Sequence, residues 1–88
     1  MLTERENILI ECLVKDYISK GKAISSDRLL EKTGLKYSTA TIRKDLIKLE
    51  TLGLVESTHV SSGRVPTVKG YRYYIDNNLK RKPLSKSE

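Results

Sequence analysis

Residues 38–56 read STATIRKDLIKLETLGLVE, and this stretch decides the fold. Ser38 is a favoured N-cap residue, and the period of the residues after it predicts an α-helix that reaches about Leu52. Three apolar residues repeat on one side of that helix: Ile42, Leu46 and Leu49. That side is predicted to face the core, which leaves the opposite side open to solvent.

The open side of this predicted helix is small or basic and contains no acid. It carries Ala40, Arg43, Lys44 and Ile47, flanked by Thr41 and Lys48. The major groove of B-DNA is wide enough for an α-helix, and a slim, basic surface suits it because the phosphates are negative. We therefore predict the recognition helix of a helix-turn-helix, whose N-terminal residues meet the base edges.

Arg43 and Lys44 are the first candidates for contacts with bases. An arginine can bind guanine O6 and N7 with two hydrogen bonds, and a lysine is equally able to hold a phosphate. Residues at the start of the helix complete the predicted interface: Ser38, Thr39, Ala40 and Thr41. The alternative for Arg43 and Lys44 is a helix face that is only solvated. The alternative for Thr39 is a side chain turned toward the edge of the core. Ile47 either touches a thymine methyl group or is an ordinary surface isoleucine.

The residues after the helix predict a β-hairpin. Residues 54–58 (LVEST) alternate as in a half-buried strand, and residues 59–64 (HVSSGR) read as a turn. Val65 then continues a second short strand that Pro66 ends. A helix-turn-helix followed by such a hairpin describes a winged helix, whose hairpin tip lies along the phosphate backbone or reaches into the minor groove.

The turn of this hairpin holds residues suited to DNA. We expect Gly63 to adopt a positive φ at the tip, and Arg64 to enter the minor groove, where the potential is most negative if the groove is narrow. Ser61 and Ser62 would add small donors to phosphates. An ordinary hairpin turn would explain the glycine and the serines, but not the neighbouring arginine.

Two helices are predicted ahead of the recognition helix. Thr3 and Glu6 have the form of a capping box, so helix 1 starts there and ends at the glycine of the KGK sequence. Ser25 or Ser26 caps a short second helix that Gly34 closes. The fold class is therefore mostly α with a small β-hairpin: a winged helix-turn-helix with a three-helix core and a wing.

An extra C-terminal helix follows the wing. Thr67 can cap it, and four apolar residues repeat on one face, which we expect to pack against helix 1: Val68, Tyr71, Ile75 and Leu79. Tyr73 and Tyr74 cannot both share that face. Their open alternatives are an anchor for phosphate, a partner surface, or partly buried rings that close the core.

The chain is predicted to form one winged-helix domain over residues 1–79 and a basic, flexible tail over residues 80–88. Lys69 and Arg72 lie close enough in sequence to the wing to touch phosphates. The bases of the tail would add only sequence-blind attraction to DNA.

The net charge of +6 is unevenly distributed. Residues 1–34 carry six bases and six acids, whereas residues 35–88 carry eleven bases and five acids. This asymmetry indicates a polyanionic partner that meets the C-terminal part of the fold. A basic surface that merely keeps the protein in solution is the alternative.

Composition argues against catalysis and against a membrane location. One cysteine and one histidine give no disulfide, no zinc cluster and no convincing nucleophile with its base, so we expect neither an enzyme nor a cofactor or metal. No apolar run reaches the roughly 18 residues that span a bilayer, and the N-terminus lacks the regions of a signal peptide. We expect no membrane contact and a cytoplasmic, nucleoid-associated protein of bacterial type.

Two stretches resemble known families. Residues 38–56 are similar to the recognition helix and first wing strand of bacterial repressors of the DeoR type. Residues 59–76 (HVSSGRVPTVKGYRYYID) closely resemble the wing and following helix of the HrcA heat-shock repressors. The same is true of residues 2–18 (LTERENILIECLVKDYI) and residues 25–35 (SSDRLLEKTGL). The chain thus resembles the N-terminal DNA-binding domain of the HrcA family.

This resemblance implies a function and partners. A domain of HrcA type is expected to bind double-stranded DNA as a homodimer at an inverted repeat, the CIRCE element, and to repress chaperone genes in the stress response. The resemblance also implies help from the GroE chaperonin. HrcA-like repressors continue into a region that supplies dimerisation, so a longer repressor chain is a further implied partner.

The sequence therefore predicts a non-enzymatic transcriptional repressor that occludes its operator. One alternative is a winged helix used for protein contact, as an adaptor or as an antagonist of a longer repressor; Arg43→Ala and Lys44→Ala would then leave its function unchanged. The other is an RNA-binding module, for which single-stranded RNA would compete as well as duplex DNA. The chain shows no exposed aromatic platform on which bases stack, which argues against RNA.

Overall fold

The computed structural model describes residues 2–58 and 63–81. Its elements follow in the order α1 (Glu4–Lys20), α2 (Ser26–Thr33), α3 (Thr39–Thr51), β1 (Val55–Ser57), β2 (Arg64–Pro66) and α4 (Val68–Arg81). This order confirms the predicted fold class. Within the described residues, no helix is long and apolar enough to cross a membrane. Helix α4 runs two residues past the predicted domain boundary, and residues 82–88 of the predicted tail lie outside the described residues.

Local signals set the starts of the first three helices. The Thr3 hydroxyl accepts a hydrogen bond from the Glu6 amide (3.1 Å), and the Thr3 amide donates to the Glu6 carboxylate (2.9 Å), which completes the predicted capping box. Ser25, rather than Ser26, caps α2 by accepting from an amide in its first turn at 3.2 Å. Ser38 caps α3 as predicted. These ends were readable because capping depends on neighbouring residues alone.

The core lies between α1, α2, α3 and the base of the hairpin. The three predicted inward residues of α3 are fully buried: Ile42, Leu46 and Leu49. They join a buried cluster that comprises Leu9, Ile10, Leu13, Val14, Ile24, Leu29, Leu54 and Val55. Burying one such side chain stabilises a fold by about 1.5–3 kcal/mol. This packing fixes the rotation of α3 about its axis, and so decides which of its residues face outward.

The hairpin pairs β1 with β2 in antiparallel register, with Val55 opposite Pro66 and Ser57 opposite Arg64. A third segment joins its edge, because Ile24 forms a β-bridge with Arg64 through two backbone hydrogen bonds of 3.0 and 2.9 Å. Residues 59–62 of the predicted turn, which include Ser61 and Ser62, lie outside the described residues.

The expectation for Gly63 is wrong. Its φ is not positive, and the residue is buried at the base of the wing rather than exposed at the tip. A Cβ at this position would lie 2.9 Å from the Cβ of Ala23 and 3.1 Å from the carbonyl oxygen of Ile24. Glycine is needed here because another segment of the chain passes close by, not because the turn demands a left-handed conformation.

The packing face of α4 also differs from the prediction. Val68, Ile75 and Leu79 are 72%, 53% and 63% exposed, so most of the predicted apolar face is turned to solvent. Only Tyr71 of that set packs against the core. The remaining tyrosines of the helix pack there too, partly buried, which is the core-closing role among the alternatives: Tyr73 and Tyr74.

A close contact at Gly70 explains this rotation. A Cβ on Gly70 would overlap the carbonyl oxygen of Leu54 and lie 3.2 Å from its carbonyl carbon, so only glycine allows the helix to approach the hairpin. One turn later, the Tyr73 hydroxyl donates to the side-chain oxygen of Asn7 on α1 (2.7 Å), and the Asn77 amide donates to the same oxygen (3.0 Å). Burial raises the pKa of Tyr73. The inner side of α4 is therefore polar and aromatic, and apolar periodicity could not predict that this side faces the core.

Candidate nucleic-acid interface

Helices α2 and α3 form the helix-turn-helix. The turn starts at Gly34, which ends α2 with a φ of +71°. Near the N-termini of both helices, the Thr39 hydroxyl donates to the Asp27 carboxylate at 3.0 Å. Thr39, one of the predicted contact residues, therefore ties α3 to α2 in the free domain. Together with the buried Leu29 of α2, this contact holds α3 at a fixed angle.

The outer side of α3 carries the predicted base-reading residues. Arg43 and Lys44 are exposed, and neither forms an ion pair within the described part of the chain. Ala40 is exposed one turn earlier, and Ile47 is 52% exposed one turn later. Small side chains beside unpaired cations can approach both base edges and phosphates.

The N-terminus of α3 adds polar groups to this side. The Ser38 hydroxyl accepts from the Thr41 amide (3.2 Å), and the two hydroxyl oxygens lie 3.1 Å apart. The first turn of α3 contains no acid. Amide groups and the helix dipole make such a terminus electropositive, so it suits a phosphate oxygen.

Buried acids on the core side of the domain each pair with a base. The Asp45 carboxylate accepts from Arg5 (Oδ1 to Nη2, 3.1 Å), Glu6 pairs with Lys48 (3.0 Å), and Asp16 pairs with a lysine of α2 (3.1 Å). The Thr3 amide, assisted by Lys48, keeps the pKa of Glu6 below its ordinary value although burial opposes this. These acids are thereby kept away from the outer side of α3, which leaves it positive.

Arg5 is a residue of this region that sequence reasoning missed. It pairs with Asp45 on α3, and its guanidinium lies 4.6 Å from the ring centre of Tyr37 in the turn before that helix. A single side chain of α1 thus contacts both the turn and α3. The available signal was Asp45 itself, an acid beside the inward Ile42 and Leu46, because a buried carboxylate needs a basic partner.

The wing residue Arg64 lies against the end of α3 in the free domain, and its contact with DNA stays a prediction. Its side chain is only 12% exposed, and Nε lies 3.3 Å from the Glu50 carboxylate near the end of α3. It also lines a small recess with Ser25, Ser26 and Arg43. Insertion into a minor groove would require Arg64 to leave Glu50, so its described position joins the wing to the helix-turn-helix.

The two predicted contacts on α4 lie apart from the start of α3. Lys69 donates to the carbonyl oxygen of Leu52 (2.9 Å), and this places it at the C-terminal end of α3, about 20 Å along the axis from Ser38. Arg72 is exposed on the outer side of α4, between Val68 and Ile75. The structure therefore brings Arg43 and Lys44 together with the N-terminus of α3, and leaves Lys69 and Arg72 elsewhere.

A helix-turn-helix joined to a two-stranded antiparallel hairpin defines a winged helix-turn-helix domain. Comparison with known families agrees, since the model of the DeoR-like helix-turn-helix domain matches residues 5–64. The chain belongs to this family.

Individual relatives extend the match to the whole chain. It is 48% identical over 88 residues to the heat-inducible transcription repressor HrcA of Pediococcus pentosaceus, and covers 25% of that protein. It is 42% identical over 88 residues to the protein of that name from Bacillus pumilus, and covers 26% of it. The chain thus spans about a quarter of the length of these curated relatives. The resemblance to HrcA seen in the sequence is confirmed.

A solved structure supports the same fold. A protein described as "Crystal structure of a hypothetical protein at 2.2 A resolution" superposes with a TM-score of 0.90 and 42% sequence identity. The match covers all of this chain and 27% of the solved one.

Proposed function

We propose that this chain binds double-stranded DNA in a sequence-specific manner and represses transcription in the cytoplasm by occluding an operator. The observation that carries the proposal is the outer side of α3, where Arg43 and Lys44 are exposed without ion pairs in the described structure. Membership of the DeoR-like helix-turn-helix family supports it. So do the names of the HrcA relatives, which are heat-inducible transcription repressors.

In the proposed complex, α3 lies in the major groove with its N-terminus toward the bases. Arg43 donates two hydrogen bonds to a guanine, and Lys44 holds a base or a phosphate. The amides and hydroxyls of Ser38 and Thr41 take a neighbouring phosphate, while Ala40 allows close approach of the helix. Ser61 and Ser62 of the wing stay predicted phosphate contacts.

The operator is proposed to be an inverted repeat that binds two copies. One module of this size buries on the order of 600–1,000 Å² on DNA, which gives limited specificity by itself. Two copies related by a two-fold axis read two half-sites and multiply the discrimination. The names of the relatives support a link to heat-inducible transcription, whereas a link to a chaperonin rests on resemblance alone.

Fluorescence anisotropy tests this proposal directly. The protein is titrated against a CIRCE-like inverted-repeat duplex and against a scrambled duplex of equal composition, at low and at near-physiological salt. We expect the affinity for the repeat to exceed that for the scrambled duplex, and the difference to persist as salt rises, because base contacts are less sensitive to salt than phosphate contacts.

Equal affinities that both collapse with salt would contradict specific binding to this operator. Single-stranded RNA serves as a third ligand in the same titration. If it competed as well as the duplex, the RNA-binding alternative would replace the proposal.

A further inference from the structure

The outer side of α4 is apolar, and no described element covers it. Val68, Ile75 and Leu79 are 72%, 53% and 63% exposed, whereas the inner side of the helix packs on α1 and β2. At 100° per residue, these three residues and Arg72 fall within an arc of about 60°. Single exposed apolar residues are ordinary, but three aligned along one helix, with Arg72 between them, form an extended surface that can contact a partner. We call these four residues the α4 stripe.

The spacing of the α4 stripe fits a partner helix of the same sequence. Its residues follow one another at intervals of four, three and four, which is the spacing of paired helices that interlock side chains. The stripe is symmetric about the midpoint between residues 73 and 74. In an antiparallel pair, Val68 of one copy therefore lies opposite Leu79 of the other, and Arg72 lies opposite Ile75.

The charges beside the stripe select the antiparallel direction. A parallel pair would place Arg72 opposite Arg72 of the second copy. The two copies of Arg72 come within about 4.5 Å of each other along the axis in the antiparallel pair as well, so the carboxylate of Asp76 is the group that selects the direction. An antiparallel pair places Arg72 next to Asp76 of the second copy, and Lys69 comes near the same carboxylate from the flank of the helix. We propose that the α4 stripe binds the α4 stripe of a second copy of this chain, antiparallel, with Asp76 of each copy facing bases of the other.

The size of the stripe predicts a weak contact in the free protein. A single pair of four-turn helices buries well below the ~1,200 Å² at the lower end of stable interfaces. An inverted repeat would hold two copies at a high effective concentration, so the contact would count mainly on DNA. The inference rests on the proposed function in this one respect, that an operator with two half-sites brings two copies together.

Cysteine cross-linking without DNA tests the pairing. In a Cys12→Ala background, Ile75→Cys, Leu79→Cys and Ile18→Cys are each treated with a short bis-maleimide at millimolar chain concentration. In the antiparallel pair, the two copies of position 75 are offset by about 4.5 Å along the helix axis, and those of position 79 by about 16 Å. Ile18, 62% exposed on α1, is the matched control for random collision.

We expect Ile75→Cys to cross-link several times faster than Ile18→Cys, and Leu79→Cys to match the control. Equal cross-linking at positions 75 and 79 would overturn the antiparallel pair. If position 75 cross-linked no faster than position 18, a second copy would not be the partner of the α4 stripe. A different polypeptide would then be the candidate. All three positions are exposed, so the variants should fold, and circular dichroism is the check.

Charge reversal separates contacts between copies from contacts within one helix. R72D and D76R, each in the Ile75→Cys background, should cross-link poorly alone, since each concentrates one sign of charge beside the stripe. When one of them carries a tag and the two are mixed, we expect mixed cross-linked dimers at the unmodified rate. Mixing cannot restore an Arg72 to Asp76 pair within one helix, so failure to recover would overturn the proposed contact.

The two proposals fail independently. Cross-linking uses no nucleic acid, and duplex titration with a single half-site needs no second copy. If cross-linking fails but the single half-site still binds, the α4 contact is wrong and the proposal of DNA binding stands. If cross-linking succeeds but the half-site does not bind, only the proposal of DNA binding is wrong.

Discussion

Replacing Arg43 by alanine is expected to lower the preference for the inverted-repeat duplex over the scrambled duplex by about 5- to 150-fold. A bidentate contact between an arginine and guanine contributes about 1–3 kcal/mol of discrimination, and 1.4 kcal/mol corresponds to a tenfold change. Arg43 is exposed and forms no ion pair within the described residues, so its removal should change the free energy of unfolding by at most about 0.5 kcal/mol. Anisotropy titrations and thermal unfolding measure the two quantities on one sample.

Two controls separate loss of a base contact from loss of charge. Lys15 is an exposed base on α1, and Lys15→Ala should leave the preference between duplexes unchanged. If Lys44 holds a phosphate, Lys44→Ala should weaken binding to both duplexes alike. It should also reduce the slope of log affinity against log salt concentration by about one. An Arg43→Ala protein that kept the full preference would show that α3 does not read the sequence as described, and would favour a winged helix that contacts protein.

Gly70→Ala is expected to destabilise the domain by about 2 kcal/mol or more, although alanine normally favours a helix. The added methyl group would overlap the carbonyl oxygen of Leu54. That oxygen cannot easily move, because it also accepts a hydrogen bond from the Thr67 amide at 3.1 Å where α4 begins. For a domain of this size, such a loss lowers Tm by roughly 10 °C.

Gly34→Ala is the matched control, since Gly34 has open space around its Cα. Its φ of +71° makes alanine unfavourable by about 1–2 kcal/mol for conformational reasons alone. The cause of the lost stability should also differ between the two variants. Only Gly70→Ala should disturb the packing of Tyr73 on α1, which tyrosine fluorescence reports. If Gly70→Ala raised Tm, as in an exposed helix, α4 would not be seated against the hairpin as described.

The parts of the fold that were predicted correctly depend on residues close together in sequence. The caps at Thr3 and Ser38 and the inward period of α3 are such signals, and tertiary packing did not override them. Since the inward residues of α3 fix its rotation, the outward position of Arg43 and Lys44 could be predicted with them.

The parts that were missed depend on distant segments. The rotation of α4 is set by the approach of Gly70 to Leu54, and apolar periodicity pointed to the other side of the helix. The sequence predicts a turn glycine at Gly63, and no local signal shows that Ala23 passes close to it. Arg5 and Asp45 are forty residues apart, and nothing local links them.

Mapping amide chemical shifts of the labelled domain on a duplex with one half-site is the most direct test of the central claim, that the outer side of α3 is the surface that reads DNA. A single half-site avoids contacts between copies, so every shift reports the duplex itself. We predict that the largest changes fall in residues 38–48 and that the α4 stripe stays unchanged. An unperturbed α3, with the changes concentrated on α4 or on the outer side of α1, would contradict the account.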